Sequence, residues 1–436
     1  MLSIWLGCGS SGRSSGPADA GRDAPAVDPA RDGPPPAPDL DVLVRVDAGA
    51  EVTDGPAGLD AGDVAPDAFT PRQSRRLGMN DVSILLPLPP ALETPTLATM
   101  TGIDLGVVLV PPDLFQRLVL DPGDVVDPPE SFHVVAIRFD LCERLTTAPC
   151  AEGADGLLRL VLQPLSRFVF DDKSVYAHDV ALHAFYPIPA RDLGAVVDEL
   201  RALAAIQDSN GLGPLGVSPL AGSDPERAVY LTRLRTLVGR HAVAARLSQL
   251  TLFAQHAFRQ SVTWAFRGVR RDGGGFKDLV IPGAGVSEQR ITFIFDRSYE
   301  TQPAADIPGG FALALDTRKY FTAEPSARLQ ALTVLTAALN PTRHTAETVQ
   351  CPACHLATVL VPARASAAGV DPATVPARFT SPYDLSNPNG IAPDNERSLR
   401  AFGWLHAQPA ISQRVINETA QVLIEMEARF PPRVPN

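Results

Sequence analysis

Apolar runs of strand length recur through the middle of this 436-residue chain and constrain its fold more than any other feature. They are Val82–Leu88, Phe132–Leu141, Leu157–Pro164, Val175–Tyr186, Leu250–Phe258, Val262–Arg270 and Arg290–Phe295. Many alternate apolar with polar positions, the period-two pattern of a half-buried antiparallel sheet. Asp272-Gly-Gly-Gly275 sits between two segments of this kind and reads as a hairpin turn. Helical periodicity appears at Ala190–Ile206 and Arg227–Arg240, an excursion expected to pack on the sheet. Beyond about residue 320 the character changes, and Ala327–Leu339, Asn395–Leu405 and Ile411–Phe430 read as helices. The expectation is an α+β chain with an antiparallel β-rich body at 76–320 and a mainly helical unit at 321–436.

The first part of the chain is different. Residues 9–70 carry 12 acidic side chains against 4 arginines and a single aromatic, Phe69. A segment of that composition buries too little apolar surface to offset its ordering entropy, so 9–75 is expected to be a disordered acidic linker. Its net charge of −8, taken from the whole-chain −11, leaves about −3 for everything else. A nearly neutral body without basic runs offers no electrostatic footprint for nucleic acid. Nor does any stretch of about 18 consecutive apolar residues suit a membrane-spanning helix.

Five cysteines are present, at 8, 142, 150, 351 and 354. Cys142 and Cys150 flank a polar loop between apolar runs, which suits a disulfide closing a hairpin in an oxidising compartment. Two ordinary buried thiols are the alternative.

Met1-Leu-Ser-Ile-Trp-Leu-Gly-Cys8 resembles the end of a bacterial lipoprotein signal, with a small residue before a cysteine that becomes lipidated. Trp5 stands where that pattern prefers Leu. Only seven residues precede Cys8, so the expected start of the signal lies upstream of Met1. The resemblance implies a lipid anchor at Cys8, 1–8 as a signal remnant, and a place on the periplasmic side of the envelope, anchored to the outer membrane. A flexible segment of ~65 residues, reaching ~45 Å in r.m.s. terms, would hold the body off the bilayer.

Several familiar signatures are excluded. Gly211-Leu-Gly213-Pro-Leu-Gly216 has the letters of a dinucleotide fingerprint, but neither a preceding strand nor a following helix. No P-loop, His-Glu-x-x-His or Gly-x-Ser-x-Gly occurs. His178 and His183 lie five apart on one apolar run, where period-two alternation sends them to opposite faces, so they are not expected to share an ion. His133 is expected to be structural.

Cys351-Pro-Ala-Cys354-His355 is the one specific chemical motif. Two thiols three residues apart on a helical turn can add to the two vinyl groups of a porphyrin, and the next residue turns an imidazole toward the iron. The five residues resemble the haem-attachment site of c-type cytochromes. The resemblance implies one covalent haem c on Cys351 and Cys354, His355 as proximal iron ligand, and an unidentified redox partner in the envelope. Class I members of that family place a distal Met in a loop before the final helix. Here the candidates are His406, in that loop, and Met426, within the helix on a stripe with Val415, Thr419 and Val422. An open iron site is the third option. A Cys-x-x-Cys also occurs as a redox disulfide or as half a zinc site. The alternative function is therefore a non-catalytic envelope lipoprotein, a binding or scaffold module with a structural Cys351–Cys354 disulfide.

Overall fold

A ten-stranded antiparallel sheet organises the computed structural model of the chain. The structure describes residues 75–94, 96–118, 127–142, 150, 152–168, 171–207, 213–219, 224–258, 261–305, 307–345, 348–388 and 399–432. Cys8, nearly all of the acidic segment 9–75, Gly211, and the first part of Asn395–Leu405 lie outside them. Among the described residues the strands are β1 (Ser83–Leu85), β2 (Phe132–Leu141), β3 (Ala154–Phe168), β4 (Asp171–Ala177), β5 (Val180–Pro189), β6 (Gln249–Phe258), β7 (Ser261–Asp272), β8 (Gly275–Asp278), β9 (Glu288–Phe295), β10 (Ser298–Gln302) and the separate pair β11 (Phe402–Leu405) and β12 (Gln408–Ile411). The helices are α1 (Met79–Val82), α2 (Pro112–Leu118), α3 (Ala190–Gln207), α4 (Asp224–His241), α5 (Phe311–Leu315), α6 (Thr317–Thr322), α7 (Pro325–Ala338), α8 (Cys351–Ala368) and α9 (Gln413–Arg429).

The sheet runs β1-β2-β3-β5-β6-β7-β9-β10, with β4 hydrogen-bonded to β3 and β8 to β7. The α+β expectation is met. Strand β2 is buried at nine of its ten positions, as a strand must be when both faces of the sheet are covered. On one face Leu158, Leu160 and Leu162 meet Leu193, Val196, Val197 and Leu200 of α3 and Leu234 of α4. On the other, Trp264, Phe266, Ile291 and Phe293 meet Phe311, Leu335, Leu356 and Leu360 from the α5–α8 region. Among the described residues no helix is long and apolar enough to cross a membrane.

Two local expectations are corrected. The run Val175–Tyr186 is not one strand, because it breaks at His178-Asp179 into β4 and β5. The stretch read as helical up to Leu405 ends instead in a hairpin, with Phe402 paired to Ile411 and Leu405 to Gln408. Tertiary docking overrides the helical pattern there. The buried Gln163 side chain accepts from Trp404 N at 2.6 Å and donates to Trp404 O at 2.8 Å, an extended-strand arrangement. Gly403 allows it, since a Cβ would lie 2.2 Å from Gln163 Oε1. Helix α9 begins at the Ser412 cap, whose hydroxyl accepts from Val415 N at 3.2 Å.

Candidate functional site

Directly opposed residues of antiparallel strands project to the same face, and the register here lines three rows of side chains across the middle of the sheet. Arg138, Arg159, Phe185, Gln249 and Arg270 form the first row. Val161, His183, Thr251 and Gly268 form the second. Phe253 and Phe266 begin the third. Over this floor lie Cys351, Cys354 and His355 of α8, Arg400–Phe402, and Arg414, Val415 and Glu418 of α9, enclosing a cavity of about 220 Å³.

Helix α8 starts at Gln350, a buried residue in extended conformation, with Pro352 in the first turn. Proline suits that turn because its missing N–H is one the helix would not use. Cys351, Cys354 and His355 then stand at i, i+3 and i+4, on one side of the helix. Both thiols are free and half-buried. Burial pushes the Cys351 thiol up to about 12, overriding a backbone hydrogen bond that acts the other way. Burial also raises Cys354. Both are therefore neutral thiols at pH 7, which makes them weak nucleophiles in the folded protein.

His355 is held on three sides. Its Nδ1 lies 2.7 Å from the Leu399 carbonyl oxygen. A carbonyl only accepts, so Nδ1 carries the proton and Nε2 is the free lone pair. Among the described residues nothing hydrogen-bonds to Nε2. The Phe253 ring lies parallel to the imidazole at 5.6 Å, and Phe266 packs against it at 4.7 Å. Burial drops the His355 pKa to about 4, against the Leu399 acceptor, so the ring is neutral at physiological pH.

The distal candidates lie elsewhere. His406 occupies the β11–β12 turn with a left-handed φ of 58° and stacks on Tyr176 at 4.4 Å. Its backbone bonds in both directions with Ala177, and it is not part of the cavity wall. Met426 is 1% exposed in the main core, the packing position its helical stripe predicted. Cys142 and Cys150 form a disulfide with a Cα–Cα separation of 5.7 Å. His178 bonds Ser166 Oγ at 2.8 Å and lies 3.2 Å from Asp127, while His183 lies on the cavity floor, so the two share no site. His133 bonds Thr96 at 2.9 Å.

Sequence spacing separates His183 from His178 but does not place it beside the motif. It lines the same cavity as Cys351, Cys354 and His355. Burial holds it well below the usual histidine pKa, and the neighbouring arginines and His355 add to the effect. Among the described residues its imidazole makes no hydrogen bond. Its place depends on register with Val161 and Thr251, on strands far apart in sequence, so no local pattern signals it.

The cavity wall contains six arginines and one acid, Glu418. No protein-family profile, curated protein or solved structure matches the chain.

Proposed function

We propose that the chain is an envelope protein carrying one covalently attached haem c, with Cys351 and Cys354 as attachment points and His355 as proximal iron ligand, and that its role is electron transfer. The observation carrying this reading is the His355 Nδ1 bond to the Leu399 carbonyl at 2.7 Å in a cavity shared with both thiols. A metal-ligating histidine characteristically donates its other ring N–H to a carbonyl or carboxylate, which fixes the tautomer and ring orientation. Here that partner is in place, and the remaining nitrogen is neutral and unengaged.

The walls suit the group in kind. Phe253, Phe266, Phe185 and Val161 offer apolar surface to a porphyrin, and the guanidinium groups offer partners for its carboxylates. The volume, 220 Å³, is below the ~300–1,000 Å³ typical of sites that enclose a small ligand. A haem attached here would therefore fill the mouth as well as the interior. Bound haem supplies a one-electron iron couple; the protein supplies fixed ligands, a low dielectric and charge. Of the histidines, His183 is better placed than His406 to be the second iron ligand, because it shares the cavity with His355.

Haem staining of a denaturing gel tests the reading, using the full chain exported in a host with the cytochrome assembly machinery. The wild type should stain and gain the mass of one haem. The double variant Cys351→Ala/Cys354→Ala should do neither. Wild-type protein without haem mass under these conditions would overturn it. The same reading places a lipid on Cys8, and Cys8→Ser should move the protein from membranes to the soluble periplasmic fraction.

A further inference from the structure

One end of the cavity gathers three guanidinium groups around two carboxylates. Arg138 lies 2.7 Å from Asp140 and 2.5 Å from Glu418. Arg414 lies 2.6 Å from Glu418, and Arg159 lies 3.0 Å from Asp140. The formal sum of these five side chains is one positive charge in excess. Charges so deeply placed are tolerated when each is matched and hydrogen-bonded, and are heavily penalised when left over. The neighbouring pair Arg400–Asp179, 2.9 Å apart and 1% and 3% exposed, shows the matched case in the same protein.

The excess falls on Arg159. Its one carboxylate, Asp140, is shared with Arg138. Its Nε is buried with no hydrogen-bond partner, and its Nη1 bonds no described residue. Protein surrounds the side chain, yet it keeps 18% of its surface exposed, because that surface is cavity wall. The Arg159 guanidinium carbon lies over the Phe185 ring, 4.8 Å from its centre. Burial, aggravated by Arg138, weakens the hold of Arg159 on its proton. Beyond this polar end the floor turns apolar, with Phe253 and Phe266 in reach of the same space.

We propose that the Arg159 end of the cavity binds a carboxylate carried on an apolar, ring-sized body. A guanidinium fork matches a carboxylate bidentately, and the added negative charge would balance the cluster. Two sources share this chemistry. One is the side-chain carboxylate of an attached porphyrin, an arm that rests on the haem reading. The other is a free aromatic carboxylate, which needs no haem.

Isothermal titration of the full chain produced without haem tests the site. The probes are 2-naphthoate and its uncharged counterpart, 2-naphthalenemethanol. Naphthoate should bind the wild type and bind Arg159→Met roughly tenfold more weakly, the scale of one lost charge-assisted hydrogen bond. The alcohol should not distinguish the two proteins. Arg159→Met leaves two guanidiniums to two carboxylates, so its melting temperature should match or exceed that of the wild type. Arg159→Lys, which keeps the charge without the fork, should bind with intermediate affinity. The same titration on haem-loaded protein separates the sources: loss of naphthoate binding assigns the site to the porphyrin's own carboxylates, and retained binding assigns it to a free carboxylate. Arg159-dependent binding by a chain that never acquires haem would support the site while refuting the haem. Equal affinity for acid and alcohol, binding indifferent to Arg159, or no binding of either probe would overturn it.

Discussion

His183 on β5 and His355 on α8 line one cavity from opposite elements, and the His355 imidazole lies within electrostatic reach of His183. Both are held neutral by burial, the state in which an imidazole can ligate a metal. In haem-loaded protein His183→Ala should convert a low-spin, bis-imidazole spectrum to high-spin. His406→Ala, on the far hairpin turn, should leave it unchanged. An unaltered spectrum in the His183 variant would remove His183 from the iron.

The same burial makes stability depend on pH. The His355 pKa falls from an ordinary 6.5 when unfolded to about 4 when folded. Between those values the unfolded chain binds more protons, so stability rises with pH across the window and is lost as pH falls through it. The shift corresponds to about 3 kcal/mol. His183 is displaced in the same direction and adds to the slope. Urea unfolding of haem-free protein at pH 7.5 and pH 5 should show the loss, and His355→Gln, which still donates to the Leu399 carbonyl, should reduce it. Equal losses in the two proteins would show that His355 does not titrate in this way.

The Cys142–Cys150 disulfide closes a short loop with a sequence separation of 8. Loop-closure entropy assigns such a bridge about 2–3 kcal/mol. Replacing both cysteines by Ala should lower the urea midpoint accordingly, and dithiothreitol should lower the wild-type midpoint equally while leaving the double variant untouched. A double variant as stable as the wild type would mean that the native pairing of β2 and β3 already holds the ends together.

Strands whose apolar runs are continuous were legible from local pattern, as the match of Phe132–Leu141 to β2 shows. Helices α3 and α9 were legible from periodicity to within a few residues. Strands β8 and β10 were not, since they are short, mostly polar and largely exposed sheet margins. The hairpin at Phe402–Ile411 was read partly as helix because its pairing is decided by Gln163, some 241 positions away. The Cys351-x-x-Cys354-His355 motif was visible because its three residues lie close together in sequence, within about one turn of a single helix. Its surroundings were not, because Arg159, His183 and Phe253 reach the motif only through strand register, which single-strand patterns do not encode.

Arg400 carries the last prediction. It follows Leu399, whose carbonyl accepts from His355 Nδ1, and its Nη2 holds Asp179 at 2.9 Å. Asp179 also accepts from the buried Trp264 indole at 3.1 Å, and the Arg400 guanidinium lies over Phe253 at 4.9 Å. The arginine thus ties the segment that presents the Leu399 carbonyl to the sheet beneath His355. Removing it leaves Asp179 as a buried carboxylate without its cation, so Arg400→Leu should destabilise the protein by about 3–5 kcal/mol. Arg400→Leu/Asp179→Asn should recover much of that loss, because the amide removes the uncompensated buried charge and keeps an acceptor for the Trp264 indole N–H. The His355 bond should not recover with it. In nuclear magnetic resonance spectra of haem-free protein, the His355 Nδ1 proton should be slowly exchanging in the wild type and fast in the double variant, even where their stabilities match. A protected Nδ1 proton in the double variant would show that the Leu399 carbonyl is held in place without Arg400.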